Sequence, residues 1–277
     1  MSFRLIALDL DGTLLDPQHR ISSTNAAAVA ACVAGGARVL IATGRTFTSA
    51  RPYIADLRLV GPQITLNGAV FADLDGNQMM MRRHLTADLL ADVTAMLEER
   101  SLPYTVFGPS TIYAPLGMAY TDILERYGEP PAVQLSRAEM LGVTDAIKVL
   151  TFLAPGPLDD ELAELMGDRF EVTRTGPQFF EFLPPGVTKG SALAELMARY
   201  EVPREEVLVI GDGENDISMF GVAGLSVAMG DAPDLVKSHA SDITATCAAD
   251  GVALALQRHV LLRPPNDPRT TPDEKSR

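Results

Sequence analysis

Short apolar runs that end in small polar residues recur along the first part of the chain. They cover residues 3–10, 38–42 and 63–66, and helical patterns lie between them, one with Ser22 as its N-cap residue and one over residues 46–58. Buried parallel strands show continuous apolar runs of this length, and helices connect them in right-handed βαβ units. The pattern therefore predicts an α/β fold whose core is a Rossmann-like parallel sheet.

A different pattern occupies the middle of the chain. Residues 69–83 are typical of a hairpin with Asp75 and Gly76 at its turn. From residue 84 onward, helical patterns over 87–100 and 158–166 are mixed with short β-like pieces and punctuated by proline and glycine. The alternation of strands and helices resumes after residue 185. We therefore expect an inserted α+β cap domain over residues 84–185, a core formed by residues 1–83 and 186–262, and a mobile tail over residues 263–277.

Composition agrees with two globular units and excludes several classes of protein. The chain has 277 residues, of which 47% are hydrophobic, and a net charge of −13. An acidic chain is a poor candidate for binding nucleic acid by general electrostatics. No run of about 18 apolar residues indicates a membrane span, and no signal-peptide pattern precedes the first strand. Two cysteines do not indicate a disulfide framework. We expect a cytoplasmic protein without nucleic-acid or membrane partners.

Two aspartates follow the first predicted strand, at Asp9 and Asp11. Strand side chains alternate in direction, so residues two apart lie on the same side of the chain. Both carboxylates can therefore face the space beyond the carboxyl end of the strand, where open α/β sheets bind ligands. A divalent cation offsets the repulsion between two carboxylates, and oxygen ligands suit magnesium. A bare Asp-x-Asp pair is also common as a simple turn cap.

Further polar residues stand where later strands end or helices begin. The hydroxyl of Thr43 and the amides after it can bind phosphate oxygens, and Lys189 begins a helix, where an anion is favoured. Asp212, Asn215 and Asp216 follow the strand predicted over residues 207–210. Each position by itself has an ordinary explanation as a solvated charge, a turn or a helix cap.

Taken in order, these positions resemble the four motifs of the haloacid dehalogenase (HAD) superfamily. The segment 9–13 resembles the first motif, Thr43 the second, Lys189 the third and the segment 211–216 the fourth. The insertion between the second and third motifs resembles the large α+β cap of the Cof-type, class IIB phosphatases. The resemblance implies a HAD fold and a phosphoric monoester hydrolase that requires Mg²⁺.

The same resemblance implies a role for each matched residue. Asp9 is the expected nucleophile, which forms an aspartyl-phosphate, and Asp11 is the expected acid and base. Mg²⁺ is expected to be bound by the carboxylates of Asp9 and Asp212 and by the backbone carbonyl of Asp11. Asp216 is expected to support the metal site without binding the metal directly. The residues implied to position the phosphoryl group are Leu10, through its amide, and Thr43, Gly44, Lys189 and Asn215.

Three residues near the expected site have two interpretations each. Arg45 could reach the substrate, but a structural ion pair explains it equally well. Asn67 and Gly68 could contact the substrate from the rim of the site, and an ordinary turn explains them equally well.

The substrate is expected to be a small phosphorylated metabolite, with sugar phosphates first and phosphorylated cofactors such as pyridoxal phosphate or flavin mononucleotide second. A phosphosugar mutase, which can share this core and cap, is an alternative. A non-enzymatic phospho-acceptor of the receiver class is a weaker one, because its acceptor does not lie in a first-strand Asp-x-Asp. The sequence indicates neither the oligomeric state nor which cap residues select the substrate.

Overall fold

A computed structural model describes residues 3–74, 79–118, 121–176 and 178–262. The turn predicted at Asp75 and Gly76 and the tail predicted over residues 263–277 lie outside the described residues. Over the part that is described, no helix combines the length and the apolar character needed to cross a membrane.

Strands and helices alternate at both ends of the chain, as the sequence predicts. The strands are β1 Leu5–Leu8, β2 Arg38–Ile41, β3 Gln63–Thr65, β4 Val70–Ala72, β5 Met79–Met81, β6 Tyr104–Phe107, β7 Ile112–Pro115, β8 Val133–Leu135, β9 Lys148–Phe152, β10 Glu171–Arg174, β11 Phe179–Leu183, β12 Val207–Gly211, β13 Leu225–Ala228 and β14 Asp242–Ile243. The α-helices are α1 Ser23–Ala34, α2 Phe47–Asp56, α3 Ala87–Glu99, α4 Thr121–Arg126, α5 Arg137–Leu141, α6 Pro157–Met166, α7 Lys189–Arg199, α8 Ile217–Val222, α9 Asp234–His239 and α10 Gly251–Leu256.

The core is a five-stranded parallel sheet in the order β14-β13-β12-β1-β2. All four residues of β1 are fully buried, which requires cover on both faces of the sheet and explains their continuous apolar character. Helix α1 packs with α10, and α7 packs with α8. Leu8, the last residue of β1, pairs with Ile41 on one side and Ile210 on the other. The three loops that follow these strands therefore start at one edge of the sheet. This arrangement confirms the predicted fold class.

The third predicted strand differs from the expectation. Strand β3 meets the parallel sheet through a parallel bridge between Ala42 and Ile64 and through the Ile41 N–H, which donates to Gln63 Oε1. It also pairs antiparallel with β4. The reversal occurs at Asn67 and Gly68, with φ of 53° and 97°. A side chain on Gly68 would collide with the carbonyl of Thr188, so this turn requires glycine. The predicted hairpin between β4 and β5 is confirmed.

The inserted segment contains a six-stranded sheet in the order β10-β11-β9-β6-β7-β8, antiparallel except between β7 and β8. Because side chains alternate across a strand, its two faces have different partners. One face, with Val149 and Phe182, joins an apolar cluster with residues of α3 and α6. The opposite face, with Phe107, Leu150 and Phe179, joins the cluster of the parallel sheet. The exact boundaries of the cap stay predictions.

Three elements of the cap and one of the core were not predicted. Helices α4 and α5 and strands β8 and β14 have two to six residues, too few for a hydrophobic period to develop. One local signal was available, because Ser136 and Glu139 form a reciprocal capping box at the start of α5.

Phe182 offers a test of the packing inside the cap. Its side chain is fully buried, so Phe182→Ala should lower the free energy of unfolding by about 3–5 kcal/mol through lost burial and a residual cavity. Denaturant unfolding measures this. The matched variant Leu165→Ala, at an exposed position on α6, should change stability by less than about 0.5 kcal/mol. Equal effects of the two variants would contradict the packing described here.

Candidate active site

A buried lysine joins two carboxylates at the edge of the parallel sheet. Asp9 follows β1, and Lys189 is the first residue of α7, whose N-cap Thr188 accepts a hydrogen bond from the backbone N–H of Ser191. The Lys189 Nζ donates to Asp9 Oδ1 at 2.5 Å and to Asp216 Oδ1 at 2.7 Å. Its side chain has no exposed surface. The predicted first, third and fourth motifs therefore meet in one ion-pair cluster.

Asp216 shapes the loop that follows β12. Its Oδ2 accepts the backbone N–H groups of Asp212 and Gly213, both at 3.0 Å. The Asp212 side chain is held from the other side by the Thr13 hydroxyl, which donates to Oδ1 at 2.9 Å. Gly12 adopts a φ of 75°, and a side chain there would collide with the Asp212 carboxylate. The Asp-Gly-Thr segment thus packs directly against the fourth motif.

The acidic groups at this edge fit a hard divalent cation. Ligand atoms of Asp9, Asp212 and Asp216 all lie within 4.8 Å of one another. Both oxygens of Asp216 already accept hydrogen bonds from Lys189 and from the loop. Asp9 and Asp212 are therefore the carboxylates best placed to bind the cation, and oxygen ligands suit magnesium-like ions. Asp216 acts here as their support.

Asp11 lines the same cavity as Asp9, but its side chain is engaged by Arg45. The guanidinium donates through Nε at 2.7 Å and through Nη2 at 2.5 Å, one bond to each carboxylate oxygen. His19 Nδ1 lies 3.6 Å from Asp11 Oδ1. Of the two interpretations of Arg45, the structure contains the ion pair. Arg45 also donates to the carbonyl of Tyr127 at 2.6 Å, which ties this pair to the cap.

Asn67 is not an exposed rim residue. It is buried, donates from Nδ2 to Glu181 at 2.7 Å and accepts from Asn215 Nδ2 at 2.9 Å. Gly68 lies beneath the carbonyl of Thr188. Both residues occupy the turn between β3 and β4, as one of their two interpretations proposed. Thr43 and Gly44 line the cavity beside Asp9, and Leu10 is buried behind the strand end.

A cavity of about 570 Å³ lies between the edge of the parallel sheet and the cap and is lined by residues of both. Its cap wall carries apolar and aromatic side chains, and also charged residues that the sequence analysis did not select. Glu129 accepts hydrogen bonds from the amide and the hydroxyl of Thr46, and Lys148 is paired with Glu181. A signal existed, because Lys148 and Glu181 are each the single charge of a strand whose other residues are uncharged and mostly apolar. The apolar residues of this wall are Phe107, Leu124, Tyr127, Leu150 and Phe179.

A family model described as haloacid dehalogenase-like hydrolase matches residues 6–256. The chain belongs to this family. The match spans both parts of the parallel core and the whole insertion between them. It confirms the resemblance drawn from the four motifs and from the cap.

Relatives and solved structures agree on the reaction class. The chain is 32% identical to 5-amino-6-(5-phospho-D-ribitylamino)uracil phosphatase YcsE of Bacillus subtilis, over 94% of this chain and 97% of the relative. A haloacid dehalogenase-like hydrolase structure from B. subtilis matches with a TM-score of 0.84 and 26% identity, over 93% of this chain and 100% of the other. A subclass IIB sugar phosphatase matches with a TM-score of 0.82 and 26% identity, over 92% and 98%. The chain is therefore a phosphoric monoester hydrolase acting on small phosphorylated substrates.

One relative is much longer than the region it shares with this chain. The endoribonuclease YBEY, chloroplastic, of Arabidopsis thaliana is 28% identical over 93% of this chain. The chain spans only 46% of the length of that protein.

Burial and crowding of like charges set the proton affinities in the cluster. Burial and the charge of Asp216 raise the pKa of Asp9, against the opposing effect of Lys189. The same two causes raise the pKa of Asp212 to about 7. Burial lowers the pKa of Lys189, but Asp216 and Asp9 outweigh it and raise that pKa overall. Burial would also raise the pKa of Asp11, but hydrogen bonds from Arg45 and His19 outweigh it and lower that pKa to about 2.

These shifts predict how stability depends on pH without metal. The folded-state pKa of Asp212, about 7, lies above the ordinary aspartate value of 3.8. Its stabilising contribution is therefore complete below pH 3.8 and is lost as pH rises through about 7. In chelator, the free energy of unfolding should fall over this window, by at most about 1.4 kcal/mol per pH unit for one proton. Urea unfolding at several pH values measures the slope. Asp212→Asn should reduce it, and an unchanged slope in this variant would contradict the assignment.

Proposed function

We propose that this chain is a magnesium-dependent phosphatase that hydrolyses a small phosphorylated metabolite through an aspartyl-phosphate on Asp9. The observation that carries the proposal is the cluster of Asp9, Asp212 and buried Lys189, of which Asp9 and Asp212 line the cavity between the core and the cap. Phosphoryl transfer depends mainly on positioning and on neutralising negative charge, and this cluster supplies both.

Asp9 is proposed as the nucleophile because of its orientation as well as its place. Its Oδ1 accepts the hydrogen bond from Lys189, which leaves Oδ2 to attack the phosphorus atom. Lys189 also supplies a positive charge beside the expected phosphoryl oxygens. When bound by Asp9, Asp212 and the backbone carbonyl of Asp11, Mg²⁺ supplies further charge neutralisation. We propose that Thr43, Gly44, Asn215 and the Leu10 amide orient the phosphoryl group.

Asp11 is proposed as the general acid and base. Its ion pair with Arg45 favours the carboxylate form, which is the form that takes a proton from the water attacking the aspartyl-phosphate. Protonation of the leaving oxygen in the first half of the reaction requires the ion pair to loosen. Arg45 contacts the cap through Tyr127, so the position of the cap affects this pair.

For the substrate, we propose a phosphate carried on a sugar or polyol chain. Among the described residues, the cap wall of the cavity contains three aromatic side chains, and sugars and heterocycles both pack well on such rings. The name of the B. subtilis relative combines a phosphorylated ribityl chain with a uracil ring, and one structural neighbour is a sugar phosphatase. A panel of phosphorylated sugars, polyols and cofactors, assayed for phosphate release with Mg²⁺, tests this choice. A mutase would release no phosphate and would instead convert one sugar phosphate isomer to another in the presence of a bisphosphate primer.

The nucleophile assignment has a direct test. Wild-type protein should release inorganic phosphate from an aryl phosphate in Mg²⁺ and stop when chelator removes the metal. Asp9→Asn should lower kcat by at least about 10³-fold, because a neutral amide does not attack phosphorus. Asp92→Asn, an exposed cap position, should retain wild-type turnover. Robust turnover by Asp9→Asn would contradict the assignment of Asp9 as the nucleophile.

Asp11 makes a separate prediction. Asp11→Asn should lower kcat by about 10²–10⁴-fold by slowing both halves of the reaction. Its apparent affinity for Mg²⁺ should stay close to that of the wild type, because the proposed ligand is a backbone carbonyl. A Mg²⁺ titration of activity, combined with single-turnover kinetics, measures both quantities. Loss of metal affinity would show that the side chain itself is the ligand.

A further inference from the structure

The core-facing side of the cap sheet contains a buried ion pair. Lys148 on β9 and Glu181 on β11 are each 2% exposed, and their Nζ and Oε1 atoms lie 2.7 Å apart. The lysine also stands 4.5 Å from the centroid of the Phe107 ring. Burying two charges costs free energy that their mutual attraction does not reliably offset. Their further contacts therefore indicate what the pair is for.

One member of the pair contacts a loop that lines the proposed phosphate site, and the other reaches such a loop through Asn67. Lys148 Nζ donates to the carbonyl of Gly44 at 2.8 Å. Glu181 Oε2 accepts from Asn67 Nδ2 at 2.7 Å, and Asn67 Oδ1 accepts from Asn215 Nδ2 at 2.9 Å. A chain of hydrogen bonds thus runs from the cap through Asn67 to Asn215 in the fourth motif. Thr175, also on the cap, donates to Glu181 Oε1 at 2.8 Å.

The carboxylate of Glu181 determines which group donates and which accepts in each hydrogen bond of this series. An ionised carboxylate only accepts hydrogen bonds, so Asn67 must turn its NH₂ group toward Glu181. Its carbonyl oxygen then faces Asn215 and can only accept. Asn215 must therefore turn its own NH₂ group toward Asn67. One N–H of the Asn215 amide donates to Asn67 Oδ1. Among the described residues, no acceptor binds its second N–H.

We propose that Glu181 is a positioning residue that, through Asn67, orients the Asn215 amide so that it offers an N–H to the phosphoryl group. The inference rests on the phosphatase function proposed above. Without the carboxylate, either amide could rotate by 180° and place an oxygen where the phosphate needs a donor. Lys148 keeps Glu181 in place and ties it to Gly44. Because both charges belong to the cap, the donor is oriented only while the cap is seated on the core.

Inhibition by inorganic phosphate tests the proposal. Glu181→Gln keeps the size of the side chain but allows it either to donate or to accept, so Asn67 loses its fixed orientation. The inhibition constant for phosphate should rise about tenfold, as expected for loss of one hydrogen bond to a charged group, and kcat should fall. Asp92→Asn should leave both constants unchanged. Thermal unfolding is measured in parallel, because a merely structural role would lower Tm and leave the inhibition constant unchanged.

A double-mutant cycle tests the route through Asn67. Asn67→Ala removes the link, so adding Glu181→Gln to it should cause no further rise in the inhibition constant. A full tenfold effect in that background would overturn the proposal, as would a wild-type inhibition constant in Glu181→Gln.

If the single variant does not fold, Lys148→Met/Glu181→Gln removes both buried charges and should show the same rise in the inhibition constant for phosphate. A wild type without phosphatase turnover would overturn the proposed function and this inference together, whereas an active wild type with an unaffected Glu181→Gln would overturn only the inference.

Discussion

The ammonium group of Lys189 holds the centre of the site together. It is fully buried between Asp9 and Asp216, and these three charges come from three distant parts of the chain. A buried carboxylate without such a partner would protonate, and a buried ammonium without one would lose its proton. The cluster therefore depends on the register of the parallel sheet, which brings the ends of β1 and β12 and the start of α7 to one place.

The cap completes this site with polar contacts as well as apolar packing. Tyr127 accepts hydrogen bonds from Arg45 and Ser49 through its carbonyl, and Glu129 binds the N-terminus of α2 at Thr46. Glu129 thus places a carboxylate where the helix has unpaired N–H groups, a favourable position for negative charge. Each of these contacts joins the cap to a loop that also borders the cavity. The same contacts therefore hold both the cap and these core residues in place.

Proton affinities across the site follow from which neighbours each carboxylate has. Burial and neighbouring carboxylates raise the pKa values of Asp9 and Asp212. For Asp11, hydrogen bonds from Arg45 and His19 outweigh the effect of burial and lower the pKa to about 2. Two aspartates separated by one residue thus meet opposite environments. A cation bound near Asp9 and Asp212 would relieve their repulsion, so the acidic cluster and the proposed metal requirement have the same physical origin.

The sequence by itself determined the parallel α/β core, the presence of an inserted α+β unit and the three motif positions around Asp9, which are Thr43, Lys189 and Asp212. Apolar strands and the residues at their ends are local features, and parallel strands bring those ends to one edge. The sequence did not identify Lys148, Glu181 or Glu129 as residues of the cavity. It also did not decide whether Arg45 binds the substrate or pairs with Asp11. Short elements such as α4 and β8 carry too few residues for a periodic signal. Only the tertiary structure decided these points, because they depend on how the cap is seated on loops that are distant in sequence.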